Sequence, residues 1–294
     1  MAIQTIVAAI ALEHGDEQVA RRAIQLAVEH RARLILSHAI ESLPAPDHDL
    51  PPPAGNATIA GVLATDATAA FERLTIPADV QAQIRVEFGK ADQVIDRLVR
   101  DHAADLLIIG PGKPRNLRER LFGSTADRLL RSSPCPILVV KQKAAESYRH
   151  VVAAIDFSPM SLAAAQAAAQ VAPEAKLELV HAFEIPMTFE QAMLKAGTPQ
   201  IEIDRYRRAK EEAARKELAS AHSSLAVQGK IRVVRGDAAT ALVRLARSGR
   251  TDLLALGVQG RTAVSEMILG SVARRVLAAS SCDLLLAKKP ISAT

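Results

Sequence analysis

Gly257, Gly260, Gly270 and Ser271 are the residues whose type and spacing come closest to chemistry in this sequence. They stand in the run GVQGRTAVSEMILGS, residues 257–271, directly after the apolar stretch Leu253–Leu256. Glycine admits backbone conformations and close approaches that a side chain blocks. A helix N-terminus presents unpaired N–H groups at the positive end of its dipole. A loop that closes through Gly270-Ser271 into a helix can therefore wrap a polyphosphate in backbone donors. The same letters also fit a plain glycine-rich loop with Ser271 as an ordinary N-cap, and spacing alone leaves both readings open.

A weaker version of the loop stands in the first half as GPGKPRNLRERLFGS, residues 110–124. It keeps Gly110, Gly123 and Ser124 but has Lys113 where the second glycine would be. Lys113 could pair with a phosphate or stay solvated, and Arg115, Arg118 and Arg120 read as an exposed basic loop or a contact for an acidic partner. The halves differ a second time: Asp156 closes an apolar run in the second, and Ala11 holds that place in the first. Ser158-Pro159, just beyond Asp156, reads as a turn or a helix start.

Other constellations are poorer. Gly110-Pro111-Gly112 lacks the third glycine of a dinucleotide fingerprint and follows the wrong strand. His14-Gly15 reads as a loop, and His38 and His181 recur at equivalent strand ends as structural or pocket-lining residues. No Ser-His-Asp or Cys-His arrangement stands out. Cys135 and Cys282 are too few for a disulfide framework or a zinc site and are expected to be buried, reduced thiols.

The elements that must position these residues can be read from periodicity. In the first half, strands are expected at 6–10, 34–39, 84–88, 106–109 and 137–140. Helices are expected at 17–30, 58–74, 92–101 and 124–131, with a Pro-rich loop from Pro44 to Pro53. In the second half, 184–200 reads as a longer, more apolar loop, and 201–224 as a charged helix with one apolar side. Strands that alternate with helices imply a parallel sheet covered on both faces. The expected class is α/β, in two tandem doubly wound domains of five parallel strands each.

Duplication underlies that pairing. Ala104-Asp105-Leu106-Leu107 matches Thr251-Asp252-Leu253-Leu254, and Gly123 to Lys141 matches Gly270 to Lys288, at a fixed offset of about 147 residues. Such a period exceeds that of solenoid units, roughly 20–50 residues, so each copy is a whole domain. The join falls near Gln142 to Ser147, which gives domains at 1–146 and 147–294. In an open sheet of this type, ligands bind beyond the carboxyl ends of the strands where the strand order reverses.

Composition narrows the partners. The charge of +5 comes from 37 basic against 32 acidic residues, and six Phe, two Tyr and no Trp supply a poor base-stacking surface, which argues against nucleic acid. No apolar run reaches the roughly 18 residues of a membrane span. The opening Met1–Val7 goes straight into a strand-like stretch without a leader, so a cytoplasmic protein is expected.

Taken with Ile155-Asp156-Phe157-Ser158, Val180-His181-Ala182 and the strand-loop-helix-strand ending, the pattern Gly-x2-Gly-x9-Gly-Ser resembles the universal stress protein family over nearly the whole chain, twice. The resemblance implies ATP as ligand, with Mg²⁺ held largely through the phosphates. It implies that Asp156 holds the adenosine end and that the backbone of Ala182 contacts adenine. Gly257, Gly260, Gly270, Ser271 and Val272 would meet the phosphates. For the first half it implies at most a weak second site at Gly110, Lys113, Gly123 and Ser124. The family often pairs its last, apolar edge strands, here 137–140 and 284–286, so an intramolecular pseudo-dimer that can dimerise further is expected.

The function expected on this basis is a nucleotide-dependent stress or signalling module with a protein partner the sequence does not identify; the sequence does not decide whether it is also a weak ATPase. Two alternatives stay open at this point. One is a slow ATPase or nucleotidyl-transfer enzyme using Gln259 and Arg261; the other is a binding protein for a different small ligand.

Overall fold

The structure is a computed structural model, and it describes residues 2–12, 17–41, 58–112, 124–142, 146–259 and 269–288. The chain divides into two compact units, Met1–Ser147 and Tyr148–Thr294. Residues 42–57, which hold the expected Pro-rich loop, and 143–145 in the expected join lie outside the described residues.

In the first unit the elements run β1 (Thr5–Ala9), α1 (Glu17–His30), β2 (Arg33–Ile40), α2 (Ile59–Glu72), β3 (Ala82–Phe88), α3 (Ala91–Asp101), β4 (Leu106–Ile109), α4 (Ser124–Ser132) and β5 (Ile137–Val139). The strands pair in parallel in the order β3-β2-β1-β4-β5. In the second unit they run β6 (His150–Ala154), α5 (Pro159–Val171), β7 (Lys176–Phe183), α6 (Met187–Lys195), α7 (Gln200–Leu225), β8 (Lys230–Arg235), α8 (Ala238–Arg247), β9 (Leu253–Gly257), α9 (Ser271–Ala279) and β10 (Asp283–Ala287). Their order is β8-β7-β6-β9-β10, again all parallel. Strand order reverses at β1/β4 and at β6/β9, which makes each unit doubly wound.

The residue types explain these elements. Ile6, Val7 and Ala8 of β1 and Leu253, Leu254 and Ala255 of β9 are fully buried, as continuous apolar strands in a sheet covered on both faces must be. In α1, Val19, Ala20, Ala23, Ile24, Leu26 and Ala27 are buried at helical spacing. Helix α5 instead buries Ala163, Ala164, Ala165, Ala167 and Ala168, small side chains that let its axis lie close to the sheet.

Part of the sequence repeat is a strand clamp. Asp105 accepts the N–H groups of Gln4 and Thr5 at 2.8 and 2.9 Å, and Asp252 accepts those of Arg149 and His150, both at 2.8 Å. Each carboxylate ties the start of one central strand to the start of its neighbour and satisfies the amides of the first strand residue and of the residue before it.

One element of the second unit differs from the sequence expectation, and another agrees with it. The stretch expected as an apolar loop contains α6, although no residue of that helix is fully buried. The charged helix, α7, runs 26 residues and buries Ile203, Ala214, Leu218 and Leu225, each large side chain contributing about 1.5–3 kcal/mol. Among the described residues, no helix is long and apolar enough to cross a membrane.

Candidate functional site

Strand β6 leads through Ile155, whose N–H still donates to Val180 at 2.8 Å, to Asp156. The Asp156 carboxylate folds back on the chain. Its Oδ1 accepts the Ser158 N–H at 3.0 Å and the Ser158 hydroxyl at 2.5 Å. Ser158 Oγ in turn accepts the Ser161 N–H at 3.2 Å, so Ser158 is the N-cap of α5 and Pro159 fills its first position. This is the helix start its sequence suggests.

Between these residues Phe157 takes a left-handed backbone, φ +66°, which a bulky side chain adopts only at a cost of about 1–3 kcal/mol. Its ring stacks at 4.5 Å on His181, whose Nδ1 lies 2.7 Å from the Ile155 carbonyl. A carbonyl only accepts, so Nδ1 carries the proton and this bond joins β7 to the Asp156 turn. The first unit repeats the device: Leu12 has φ +57°, and His38 Nδ1 donates to the Ile10 carbonyl at 2.8 Å. Both histidines are therefore structural, and nothing in the residue types Phe and Leu signals the left-handed turn.

Strand β9 supplies the opposite wall. Ala153 stands level with Ala255, which places Gly257 level with Ile155, one residue before Asp156. Beyond it, the Gly270 N–H donates to the Val258 carbonyl at 2.9 Å, closing the loop that Gly257 opens. Gln259 is buried at that closure. Gly260 and Arg261 lie outside the described residues. Gly270 is the N-cap of α9 and no side chain caps that helix; Ser271 is its first helical residue, not the N-cap, and Val272 follows. Among the described residues α3, α6 and α7 also lack a side-chain cap, whereas α5 and α8 are capped by Ser158 and Asp237.

Ala182 lies on β7, paired with Val234 and next to β6 on the other side. Asp156, Ala182, Gly257, Gly270, Ser271 and Val272 thus gather at the carboxyl ends of three adjacent strands around the switch point. Gly257 has a further role that spacing did not reveal. A Cβ there would come within 2.9 Å of Met160 C and Ser161 N, so its small size lets β9 pass the first turn of α5.

In the first unit Gly110 follows β4, Gly112 has φ +70°, and Ala11 brings no carboxylate to the end of β1. Ser124 opens α4, while Lys113, Arg115, Arg118, Arg120, Gly123, His14 and Gly15 lie outside the described residues. Of the cysteines, Cys282 is buried as expected but Cys135 is only half-buried. Among the described residues, no group of His, Cys, Asp and Glu is arranged to hold a metal ion.

Comparison with known proteins agrees with this fold. A functionally unknown protein from Pseudomonas aeruginosa PAO1 superposes with a TM-score of 0.66 at 18% identity, over 98% of this chain and 94% of that one. A universal stress protein from Archaeoglobus fulgidus DSM 4304 gives 0.60 at 16%, over 97% and 98%. In sequence, a universal stress protein from Methanocaldococcus jannaschii is 27% identical over 143 residues, 49% of this chain and 84% of that protein. The profile of the universal stress protein family matches residues 2–141 and again 147–288. With both copies matched over nearly their full length, the chain belongs to the universal stress protein family, as two tandem domains.

Proposed function

We propose that the second unit binds ATP with Mg²⁺, and that occupancy alters a surface read by a partner protein. The observation that carries this reading is α9, whose N-cap is a glycine without a side-chain cap and whose first turn is tied to the strand beside Asp156. Backbone amides with a helix dipole behind them suit a polyphosphate. A carboxylate one strand away suits a ribose hydroxyl.

Within this reading Asp156 orients the adenosine end and the Ala182 backbone meets the base. Gly257, Gly260, Gly270, Ser271 and Val272 form the phosphate cradle, and the phosphates supply most of the ligands of Mg²⁺. ATP changes the surface only to the extent that it binds two conformations with different affinity. The first unit, with Ala11 in place of the carboxylate, is proposed to bind weakly or not at all.

Mass spectrometry of small molecules released from freshly purified protein, followed by titration calorimetry of the stripped protein with Mg²⁺-ATP, tests the reading. One equivalent of adenine nucleotide per chain is expected. Protein that carries no nucleotide and gives neither binding heat nor a thermal shift with millimolar Mg²⁺-ATP would refute it.

A further inference from the structure

The second unit carries one helix that its core does not hold. Helix α6 has no buried residue; Met187 is 72% and Leu194 54% exposed. A nine-residue helix is too short to be stable alone in water. Its side-chain hydrogen bonds to α7 and β8, among the described residues, all converge on one carboxylate. Glu190 takes a two-pronged contact from Arg207 of α7, at 2.9 Å from Nε and 2.6 Å from a terminal nitrogen, and a third from Arg235 of β8 at 2.6 Å. Arg207 is itself steadied by Asp204 at 2.8 Å. The only ring contact is Phe189 against Tyr206, centroids 5.6 Å apart among the described residues, with Phe189 itself largely exposed.

Position gives this latch a consequence. Helix α6 begins four residues beyond Phe183, the last residue of β7, and Arg235 is the last residue of β8. Glu190 is therefore pinned at the carboxyl ends of β7 and β8, the end of the sheet that holds Ala182 and Asp156. The chain can turn on either side of the helix. Pro186 precedes it, and Gly197 follows with φ +77° and nothing within 4 Å of where its Cβ would stand.

From this we infer that α6 is a flap on the β7 side of the nucleotide crevice, latched shut by Glu190 on Arg207 and Arg235, and that the latch sets how fast ligand enters and leaves. The inference rests on the nucleotide site proposed above. The guanidinium pair holds the Glu190 carboxyl below the usual carboxylate range, with the Arg207 hydrogen bond the main cause, so the latch stays charged at neutral pH. Releasing it frees a segment whose other contacts are few, which speeds exchange in both directions and leaves affinity less altered.

Stopped-flow measurement of a fluorescent ATP analogue on the full chain tests this with Glu190→Gln and Glu190→Ala. Amide hydrogen exchange across 187–195 reports whether the helix is freed. Both variants are expected to raise association and release rates about five-fold or more, with faster exchange confined to α6. Added salt should speed the unaltered protein towards the variants and leave the variants themselves little changed. Analogue binding with rates equal in all three proteins overturns the flap while leaving the site intact. Absence of binding in every protein overturns the nucleotide site, and with it any flap that serves it.

Discussion

A Cβ on Gly257 would stand 2.9 Å from the carbonyl carbon of Met160, closer than real Cβ contacts come. The atom in the way is backbone, so it cannot swing aside as the end of a side chain could. Gly257 thus serves the contact between β9 and α5 whether or not a ligand is present.

Gly257→Ala is therefore expected to destabilise the ligand-free protein by about 1–3 kcal/mol, the usual range for overpacking. For a unit of this size that lowers Tm by about 2–10 °C. Differential scanning calorimetry of nucleotide-free protein measures it. An unchanged Tm would mean that the backbone of α5 yields without strain. Loss of nucleotide binding in this variant cannot by itself be assigned to a lost phosphate contact.

Asp156 separates ligand from scaffold more cleanly. Its Oδ1 accepts two bonds from Ser158, and the amide oxygen of Asn can accept both. Asp156→Asn is expected to keep stability within about 0.5 kcal/mol and to weaken Mg²⁺-ATP binding about ten-fold or more, as the loss of a charged hydrogen-bond partner does. Asp156→Ala removes the acceptor as well and is expected to lose about 1 kcal/mol of stability in addition. Calorimetric titration paired with thermal melts reads both quantities. Equal affinity of Asp156→Asn and the unaltered protein would remove the carboxylate from the site.

The sequence made the repeated parts legible because the physics there is local. Leu106–Ile109 and Glu17–His30 coincide with β4 and α1, since a buried parallel strand and a one-sided helix each leave a periodic signature. The matching of Asp105 and Asp252 reported a structural clamp, although by letter alone it looked no different from a site residue. Helix α6 stayed hidden because it packs no stripe: Met187, Phe189, Met193 and Leu194 make the segment apolar without making it buried. The left-handed turn at Phe157 was illegible for the opposite reason. Residue type there argues against φ > 0, and only the surrounding Asp156, Ser158 and His181 contacts impose it.

Cys135 is half-buried as a residue, but its thiol is desolvated, and that gives a prediction. Desolvation dominates its environment and pushes the thiol up to about 11, while the hydrogen bond with Ser133 pulls weakly the other way. The nucleophile is the thiolate, of which only about 0.1% then exists at pH 8. Cys282 is fully buried. Native protein is expected to react with a thiol-specific disulfide reagent at pH 8 at least ten-fold more slowly than the unfolded chain, roughly, and to gain speed only as pH approaches 11. Rapid labelling at Cys135 near neutral pH, located by peptide mass mapping, would contradict this.

Asp237 provides the pH dependence. It caps α8 by accepting the Thr240 N–H at 2.8 Å and hydroxyl at 2.6 Å, and it meets Arg275 of α9 at 3.1 Å. The Thr240 hydroxyl above all, then its amide and Arg275, hold the carboxyl below its ordinary range. A carboxyl depressed on folding adds stability that is complete above its unfolded value, about 3.9, and is lost as pH falls through the lower folded value. The side chain is 44% exposed, so Arg275 contributes little through solvent and salt, and the charge at the helix N-terminus is the larger part, about 0.3–1 kcal/mol. Asp237→Asn keeps the capping oxygen and removes only the charge. The urea midpoints of the two proteins are therefore expected to differ by a constant amount from pH 7 to 5 and to converge only as pH falls through the depressed folded value, where the aspartate is itself protonated. Arg128 of α4 gives an internal contrast. It occupies the position equivalent to Arg275 but meets Asp92 at 3.4 Å, and the N-cap of α3, Lys90, makes no side-chain cap. Asp92→Asn should then shift the midpoint less than Asp237→Asn at pH 7. Asp92 stands in the first turn of α3, so equal shifts would mean that charge near a helix N-terminus, and not the Thr240 cap, sets the effect.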